Sequence, residues 1–519
     1  MQLIIPMSGE GTRFINQGYK VPKPMIKISG FPMIKHAVDM FPGIDEVLFI
    51  VNQEHFENKA LNIEQELSLI SPNSKIAVIE KHKFGPAWAI SKAHSYVNVK
   101  VPVVVNYCDF TCVWNFDLFK NQLESGLDGL IATYSGFHPH MLRSNKFAYV
   151  KLNEQGNLVD IQEKLSYTNN PMSEEASSGT YGFGTGQLLV DAVNQQILNN
   201  DSYNGEFYSS LTYKSMIRNG NKVKTFKIDK FVQWGTPEDL DDFNKQKKFF
   251  HFKNFLPKNH SSVNRVEILA AGNGRRFFDA GYKENKAFLK LDLDLMVIQA
   301  FNSLGFTTEN KGILIQEKFD ISSESIDLLY ENNIKIRKVK TLTLGQAQSA
   351  LMVLENQIQG PCVVGTCDSL LYPDLNDDIS KISGEVLGVW VSKPSFYAKN
   401  NPDQFGWVSI DSNKNILKSW VKKEPPESAE TYLITGTFIF GENRESVKLL
   451  EDFLDSDLKV KNEYYLDSLI DFALNRNWKV FALNTEWFVS LGTPDEYETY
   501  KYWEKLFKLK PSLLDKYED

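Results

Sequence analysis

Short apolar runs, each closed by glycine or a polar turn, alternate along this chain with segments of helical period. LIIPM (3–7), VLFIV (47–51) and VPVVV (101–105) are continuous apolar stretches a few residues long. VEILAA (266–271), GILI (312–315) and PCVVG (361–365) repeat that character in the second half. Runs of this length rich in Val, Ile and Leu predict buried strands. MIKHAVDMF (33–41) and LMVIQAFNSL (295–304) predict helices between them. Strands alternating with helices predict an α/β chain, each sheet mostly parallel and flanked by helices on both faces. Ligands in such folds bind beyond the carboxyl ends of the strands.

The pattern occurs twice. MSGEGTRF (7–14) returns as AAGNGRRF (270–277), and KVPKPMIKI (20–28) as KENKAFLKL (283–291), both 263 residues on. FGPAWAIS (84–91) matches LGQAQSAL (344–351), and VVVNYCDF (103–110) matches CVVGTCDS (362–369). SGTYGFG (178–184) matches TGTFIFG (435–441), and QWGTPEDL (233–240) matches SLGTPDEY (490–497), with the spacing now 257. Six segments in one order, with slowly shrinking spacing, indicate duplication of a whole domain rather than a short solenoid repeat. The expected division is 1–248, a connector at 249–263, and 264–519. The connector carries Phe249, Phe250, Phe252 and Phe255, more aromatics than a free linker has.

Length and charge narrow the classes. A chain of 519 residues exceeds what one core supports. The net charge of −8 argues against a general nucleic-acid binder. The opening residues lack a basic n-region, and no stretch is apolar enough to span a bilayer. The four cysteines, Cys108, Cys112, Cys362 and Cys367, have neither disulfide-framework nor zinc spacing. The expectation is a cytoplasmic protein with reduced thiols, compatible with a homo-oligomer.

The candidate chemistry lies at the predicted strand ends. Gly9 and Gly11, with Thr12 and Arg13, form a glycine turn suited to an anion, and Gly272, Gly274 and Arg276 repeat it. A plain structural turn is the competing reading, and Phe14 breaks a dinucleotide-binding fingerprint. Lys23, between two prolines and so expected in extended chain, could neutralise a triphosphate, and Lys286 keeps its place. Asp109 and Asp368 end strands, where a carboxylate needs a metal or a partner; a helix N-cap is the plain alternative. Gly85, Ala87, Gly345 and Ala347 open helices in a way that suits either a flat base or close packing. Lys164 and Lys423 are candidates for an acceptor phosphate. Gly179, Thr180, Gly436 and Thr437 are expected in a turn and strand beside the acceptor.

The order glycine loop with Arg, Pro-Lys-Pro, Gly-x-Ala, strand-end Asp, Glu-Lys, Gly-Thr, Gly-Thr-Pro resembles the sugar-phosphate nucleotidyltransferases, also called nucleotide-sugar pyrophosphorylases. The resemblance covers nearly the whole chain, once per half. It implies a Rossmann-like fold and attack by an acceptor phosphate on the α-phosphorus of a nucleoside triphosphate, releasing pyrophosphate. It implies that Arg13 and Lys23 bind the triphosphate, that Gly85 and Ala87 lie near the base, and that Asp109 holds Mg²⁺. Lys164 would hold the acceptor phosphate, with Glu163 near the sugar. Arg276, Lys286, Gly345, Asp368 and Lys423 take the matching places. The family commonly carries a second metal-binding aspartate two residues before the late glycine; Gln233 and Ser490 stand there, leaving Mg²⁺ held mainly by phosphates and water. Asn285, Ala287 and Lys422 replace Pro22, Pro24 and Glu163 in the second copy, which implies a different acceptor there or none. A surface-polysaccharide pathway follows from resemblance alone. The alternatives are a glycosyltransferase of related fold and a chain with one active half beside a regulatory or dimerising one. The first usually carries Asp-x-Asp at the strand end, where this chain has Asp109-Phe110-Thr111 and Asp368-Ser369-Leu370; Asp292-Leu293-Asp294 has the pattern but aligns with an expected hairpin turn.

Overall fold

A computed structural model describes the chain except residues 45, 255–262, 356–359, 375, 376, 378, 380, 381, 395–397, 399–401, 422–424, 426–429, 442 and 515–519. The chain divides into two compact units. The first is Met1–Asn254 together with the C-terminal segment from Tyr502, and the second takes the residues between.

In the first unit the strands Lys75–Ile79, Glu46–Asn52, Gln2–Pro6 and Val103–Asn106 run parallel and adjacent in that order. Leu3, Ile4, Ile5, Leu48, Phe49, Val104 and Val105 are all buried, as a sheet covered on both faces requires. Glu175–Phe183 then pairs antiparallel with Val103–Asn106 and carries the sheet onward to Gly129–Tyr134 and Ala148–Leu152. The second unit repeats the plan. Ile334–Val339, Lys311–Gln316, Arg265–Ala270 and Cys362–Thr366 are parallel, and Thr431–Phe440 joins antiparallel. Both units are thus mixed sheets flanked by helices, as the alternating pattern predicted. Met33–Val38 and Met296–Leu304 are helical. Asp292-Leu293 is the turn of a two-strand hairpin, with Asp292 at φ 59° and Leu293 exposed.

Three local expectations are corrected. Lys23 is not in extended chain: Lys23–Met25 form a single 3₁₀ turn, closed by Met25 N–H to the Pro22 carbonyl, while Pro22 is extended. In the second unit the buried Asn285 side chain accepts from the Ala287 amide at 3.0 Å and caps the matching turn, so the lost prolines are replaced by a hydrogen bond. Gly179 and Thr180 lie inside the long strand rather than in a turn; Gly179 takes φ 98°, and the register with Gly129–Tyr134 slips between Ser177 and Tyr181. Finally, the helix Pro237–Asn254 continues six residues beyond 248, into the stretch read as connector, because Phe249 and Phe250 are buried. Phe255, the last aromatic of that stretch, lies outside the described residues.

The segment from Tyr502 packs with the first unit rather than with residues 264–501, which precede it in sequence. Tyr502 donates its hydroxyl to the Phe231 carbonyl at 2.5 Å and accepts from the Phe231 amide at 3.0 Å. Trp503 meets Phe243, Phe507 meets Phe243 and Phe250, and Leu506 and Leu513 are fully buried. Burial of each such side chain is worth about 1.5–3 kcal/mol. A chain ending at Lys501 is therefore expected to melt, in its first unit, at least about ten degrees lower than the full chain, read by scanning calorimetry. Melting unchanged by the truncation would show that this segment contributes nothing to that unit.

Candidate functional site

In the first unit Lys23 meets Asp109 beyond the carboxyl ends of the parallel strands Gln2–Pro6 and Val103–Asn106. Gln2–Pro6 runs into the loop holding Gly9 and Gly11. Gly11 sits at φ 66°, the left-handed region that a side chain disfavours, and a Cβ there would lie 3.3 Å from the Lys23 Cβ. The glycine loop and the Lys23 turn are thereby pressed together. Lys23 donates to Asp109 at 2.5 Å and to the Gly235 carbonyl at 3.2 Å. Asp109 follows Val103–Asn106, and its own carbonyl accepts from the Trp234 amide at 2.8 Å. One lysine therefore ties together the glycine loop, the strand-end carboxylate and the Gly-Thr-Pro segment.

Residues Tyr203–Thr212 complete the site, and the sequence reading missed them. Phe207 pairs through its backbone with Phe84 and Ala87 (2.7 and 2.9 Å). A Cβ on Gly85, at φ 87°, would stand 2.7 Å from the Phe207 carbonyl oxygen, so this glycine is required by backbone packing. Ala87 is fully buried and its amide is used in that pairing. Lys164 donates to the Tyr208 hydroxyl and lies 4.3 Å from that ring's centre; Tyr208 donates in turn to Glu206 at 2.8 Å. Burial and Glu206 raise the Tyr208 pKa, while the Arg13 charge works against them, which places exposed Arg13 near this group. Glu163 accepts from Ser210 at 2.6 Å; burial pushes its pKa up to about 7 although Ser210 and Lys164 oppose the shift. Thr180 is buried and donates to Asn106 at 2.6 Å. Gly9 has open space where a Cβ would project, and Thr12 is exposed.

The second unit builds a counterpart. A cleft of about 520 Å³ is lined by Gly272, Gly274, Arg276, Lys286, Gly345 and Asp368. Lys286 is ion-paired with Asp368. Burial alone would raise the Asp368 pKa, but the Lys286 charge and hydrogen bonds from Lys286 and Thr366 hold it below the usual carboxylate range. Lys286 is affected conversely: burial lowers its pKa, Asp368 outweighs this, and the net shift is upward. A Cβ on Gly345 would stand 2.6 Å from the Tyr464 carbonyl oxygen, and the buried Ala347 amide donates to that oxygen at 3.0 Å. Gly436 adjoins Thr366, and Thr437 is buried. Lys423 lies outside the described residues.

The missed segment had a signal. Glu206-Phe207-Tyr208 and Glu463-Tyr464-Tyr465 stand 257 residues apart, the same spacing as the Gly-Thr segments on either side. The units differ at the late glycine. Gln233 donates to Asp239 at 2.8 Å, and Arg143 pairs with Asp239 at 3.0 Å. In the second unit Glu496 accepts from Thr493 and Ser490; burial raises its pKa and the Asp368 charge adds to the rise. Among the described residues no group of three or more His, Cys, Asp or Glu side chains could hold a metal, and no helix is long and apolar enough to cross a membrane. The four cysteines are free; Cys112, Cys362 and Cys367 are buried.

Glu163 yields a pH prediction. Its folded pKa is raised, so ionisation costs stability as pH climbs from the unfolded value, near 4.5, to about 7. The Tm of Glu163→Gln relative to wild type is expected to rise by a few degrees between pH 5 and pH 7.5. A difference independent of pH would show that Glu163 is not held protonated.

Residues 3–248 match the family model for nucleotidyl transferases. The bifunctional protein GlmU of Clostridioides difficile is 26% identical over 231 residues, covering 43% of this chain and 46% of the relative. The GlmU of Methanococcus aeolicus is 23% identical over 250 residues, covering 47% and 54%. The chain thus spans about half the length of the curated relatives it matches. Among solved structures, the nucleoside-diphosphate-sugar pyrophosphorylase of Vibrio cholerae is 21% identical, covers 47% of this chain and 99% of its own, and has a TM-score of 0.39. A UDP-glucose pyrophosphorylase complexed with UDP-glucose is 17% identical, covers 47% and 98%, and has a TM-score of 0.38. The family match thus lies within the first unit, whose residues 3–248 are similar to the nucleotidyl transferases.

Proposed function

We propose that the chain joins a nucleoside triphosphate to a sugar phosphate or a similar phosphorylated small molecule and releases pyrophosphate. The observation that carries this reading is the strand-end pair of Lys23 and Asp109 beside the glycine loop, repeated as Lys286 and Asp368. An oxygen of the acceptor phosphate attacks the α-phosphorus, a new P–O–P bond forms, and the bond from the α-phosphorus to the bridging oxygen breaks. Both electrons leave with pyrophosphate. No protein nucleophile takes part. Catalysis is alignment and charge stabilisation. Arg13 and Lys23 hold the triphosphate oxygens, and Lys164, braced by Tyr208, holds the acceptor phosphate. Glu163 faces the acceptor as a hydrogen-bonding group. Mg²⁺ is an ion content with one or two carboxylates, water and substrate phosphates. Asp109, and Asp368 in the second unit, would hold it, and the ion would supply charge neutralisation on the phosphates. The nucleotide-sugar product fits a role in surface-polysaccharide precursor synthesis inside the cell.

The test is pyrophosphate release with Mg²⁺, each triphosphate in turn and a pool of phosphorylated sugars and polyols. Release is expected with one triphosphate and only when an acceptor is present. Lys23→Ala is expected to lower kcat/KM at least about a hundredfold, the scale of losing one charge-stabilising donor. Arg13→Ala and Arg276→Ala, assayed separately, are expected each to remove part of the turnover or one of two activities. An Arg276→Ala chain of unchanged activity would confine catalysis to the first unit.

A further inference from the structure

Three consecutive residues in the first unit reach across to the glycine loop. His82 lies 3.1 Å from the Ser8 hydroxyl through Nε2, and its Nδ1 accepts from the Phe84 amide at 3.2 Å. Lys81 and Lys83 on either side pair with Glu10 at 3.4 and 3.8 Å. Ser8 and Glu10 flank Gly9 in the loop, while Phe84 precedes Gly85. Phe84 leads on to Trp88, 5.0 Å away between ring centres, and Trp88 to Phe207 at 6.2 Å. The bonding pattern fixes the protonation of the ring. Nδ1 receives an N–H and so carries the lone pair; the single proton sits on Nε2 and is donated to Ser8. Only neutral His82 holds both ends.

The second unit lacks these parts. Ala271, Asn273, Thr341, Leu342 and Thr343 stand at the positions of Ser8, Glu10, Lys81, His82 and Lys83. It retains the other brace of the loop: Gln316 donates to the Ala271 carbonyl, as Asn52 does to the Ser8 carbonyl. The backbone support is common to both units; the second holds its loop side chain Asn273 from Lys318 at 2.8 Å and Gln316 at 3.3 Å instead, and only the first holds its loop from the segment before the Gly85 turn.

We infer that Lys81-His82-Lys83 is a clasp particular to the first unit, holding the triphosphate loop against the Phe84-Gly85 turn, with His82 as a positioning residue for the nucleotide. The inference rests on the proposed nucleotidyl transfer. Loop and turn bracket the two ends of the nucleotide in that reading, so fixing their separation lowers the ordering cost of binding. The charged and titratable groups around His82 are Lys81 and Lys83 on its own segment, Glu10 on the glycine loop, and Glu54 and His55 on the helix Gln53–Glu57. Burial lowers the His82 pKa, so its ring stays neutral at pH 7 and its two hydrogen bonds are lost only in acid. Protonation would turn the Nδ1 acceptor into a donor facing the Phe84 amide.

The test compares wild type, His82→Leu (the residue of the second unit) and His82→Gln, which keeps a donor for Ser8 but does not titrate. ATP, CTP, GTP, UTP and dTTP serve as probes. With the triphosphate that supports turnover, His82→Leu is expected to raise its KM about three- to tenfold, the scale of one or two hydrogen bonds, with kcat moved no more than about twofold. His82→Gln is expected to recover part of that loss. Wild type is expected to lose nucleotide affinity below pH 6.5 on a limb that His82→Gln lacks. Amide exchange across residues 7–12 is expected to quicken in His82→Leu. An unchanged KM with unchanged exchange overturns the clasp and leaves the proposed reaction standing. A raised KM with the same acid limb in wild type and His82→Gln overturns the hydrogen-bonding role. A wild-type chain that binds none of the five triphosphates overturns both readings.

Discussion

The ion pair between a lysine and a strand-end aspartate is the interaction on which the rest of each site depends. Lys23 reaches Asp109 because Gly11 lets the loop lie against the Lys23 turn, and because Asp109 closely follows the strand Val103–Asn106, which is hydrogen-bonded to Gln2–Pro6. The same lysine accepts a second constraint from the Gly235 carbonyl. A partly buried pair of this kind resists the loss of either partner more than it adds to stability, since one charge would then stand uncompensated. In the proposed reaction it would also keep both charges where a triphosphate and its cation need them, and binding would exchange one set of charge partners for another.

The two units share that pair and diverge around it. Asp239 is neutralised by Arg143 and by the Gln233 amide, whereas Glu496 has hydroxyl partners and the Asp368 charge near it. Tyr107, partly buried beside Gly179, becomes Thr366 beside Gly436, and the Asn106–Thr180 bond has no equivalent because Gly365 stands in place of Asn106. These changes fall beside Gly179 and Gly436 and at the late glycine, not at the lysine–aspartate pair. Duplication has preserved the lysine–aspartate pair and varied what surrounds it, a pattern expected if the units act on different partners.

Much of this was legible in the sequence. Continuous apolar runs named the parallel strands, because a strand buried on both faces leaves no polar positions, and Leu3–Ile5 and Val103–Val105 are buried throughout. The repeat of glycine loop, lysine and strand-end aspartate located the cleft, because their spacing along the chain reflects connections that the fold keeps short. Less legible was the use of each residue. Gly85 and Ala87 read equally as a platform for a base or as packing; the structure spends the glycine and the alanine amide on the Phe207 backbone.

The sequence by itself determined the fold class, the duplication and the residues that gather at the strand ends, since periodicity and repeat spacing are properties of the chain. Tertiary structure alone decided which residues meet across long separations. It placed Tyr208 under Lys164, Ser8 against His82, and Tyr502 on Phe231, contacts with no local signature. It also assigned the C-terminal aromatic segment to the first unit. Hydrophobic burial favours any packed surface equally along the chain, so only the shape of the folded unit selects which one an apolar segment covers.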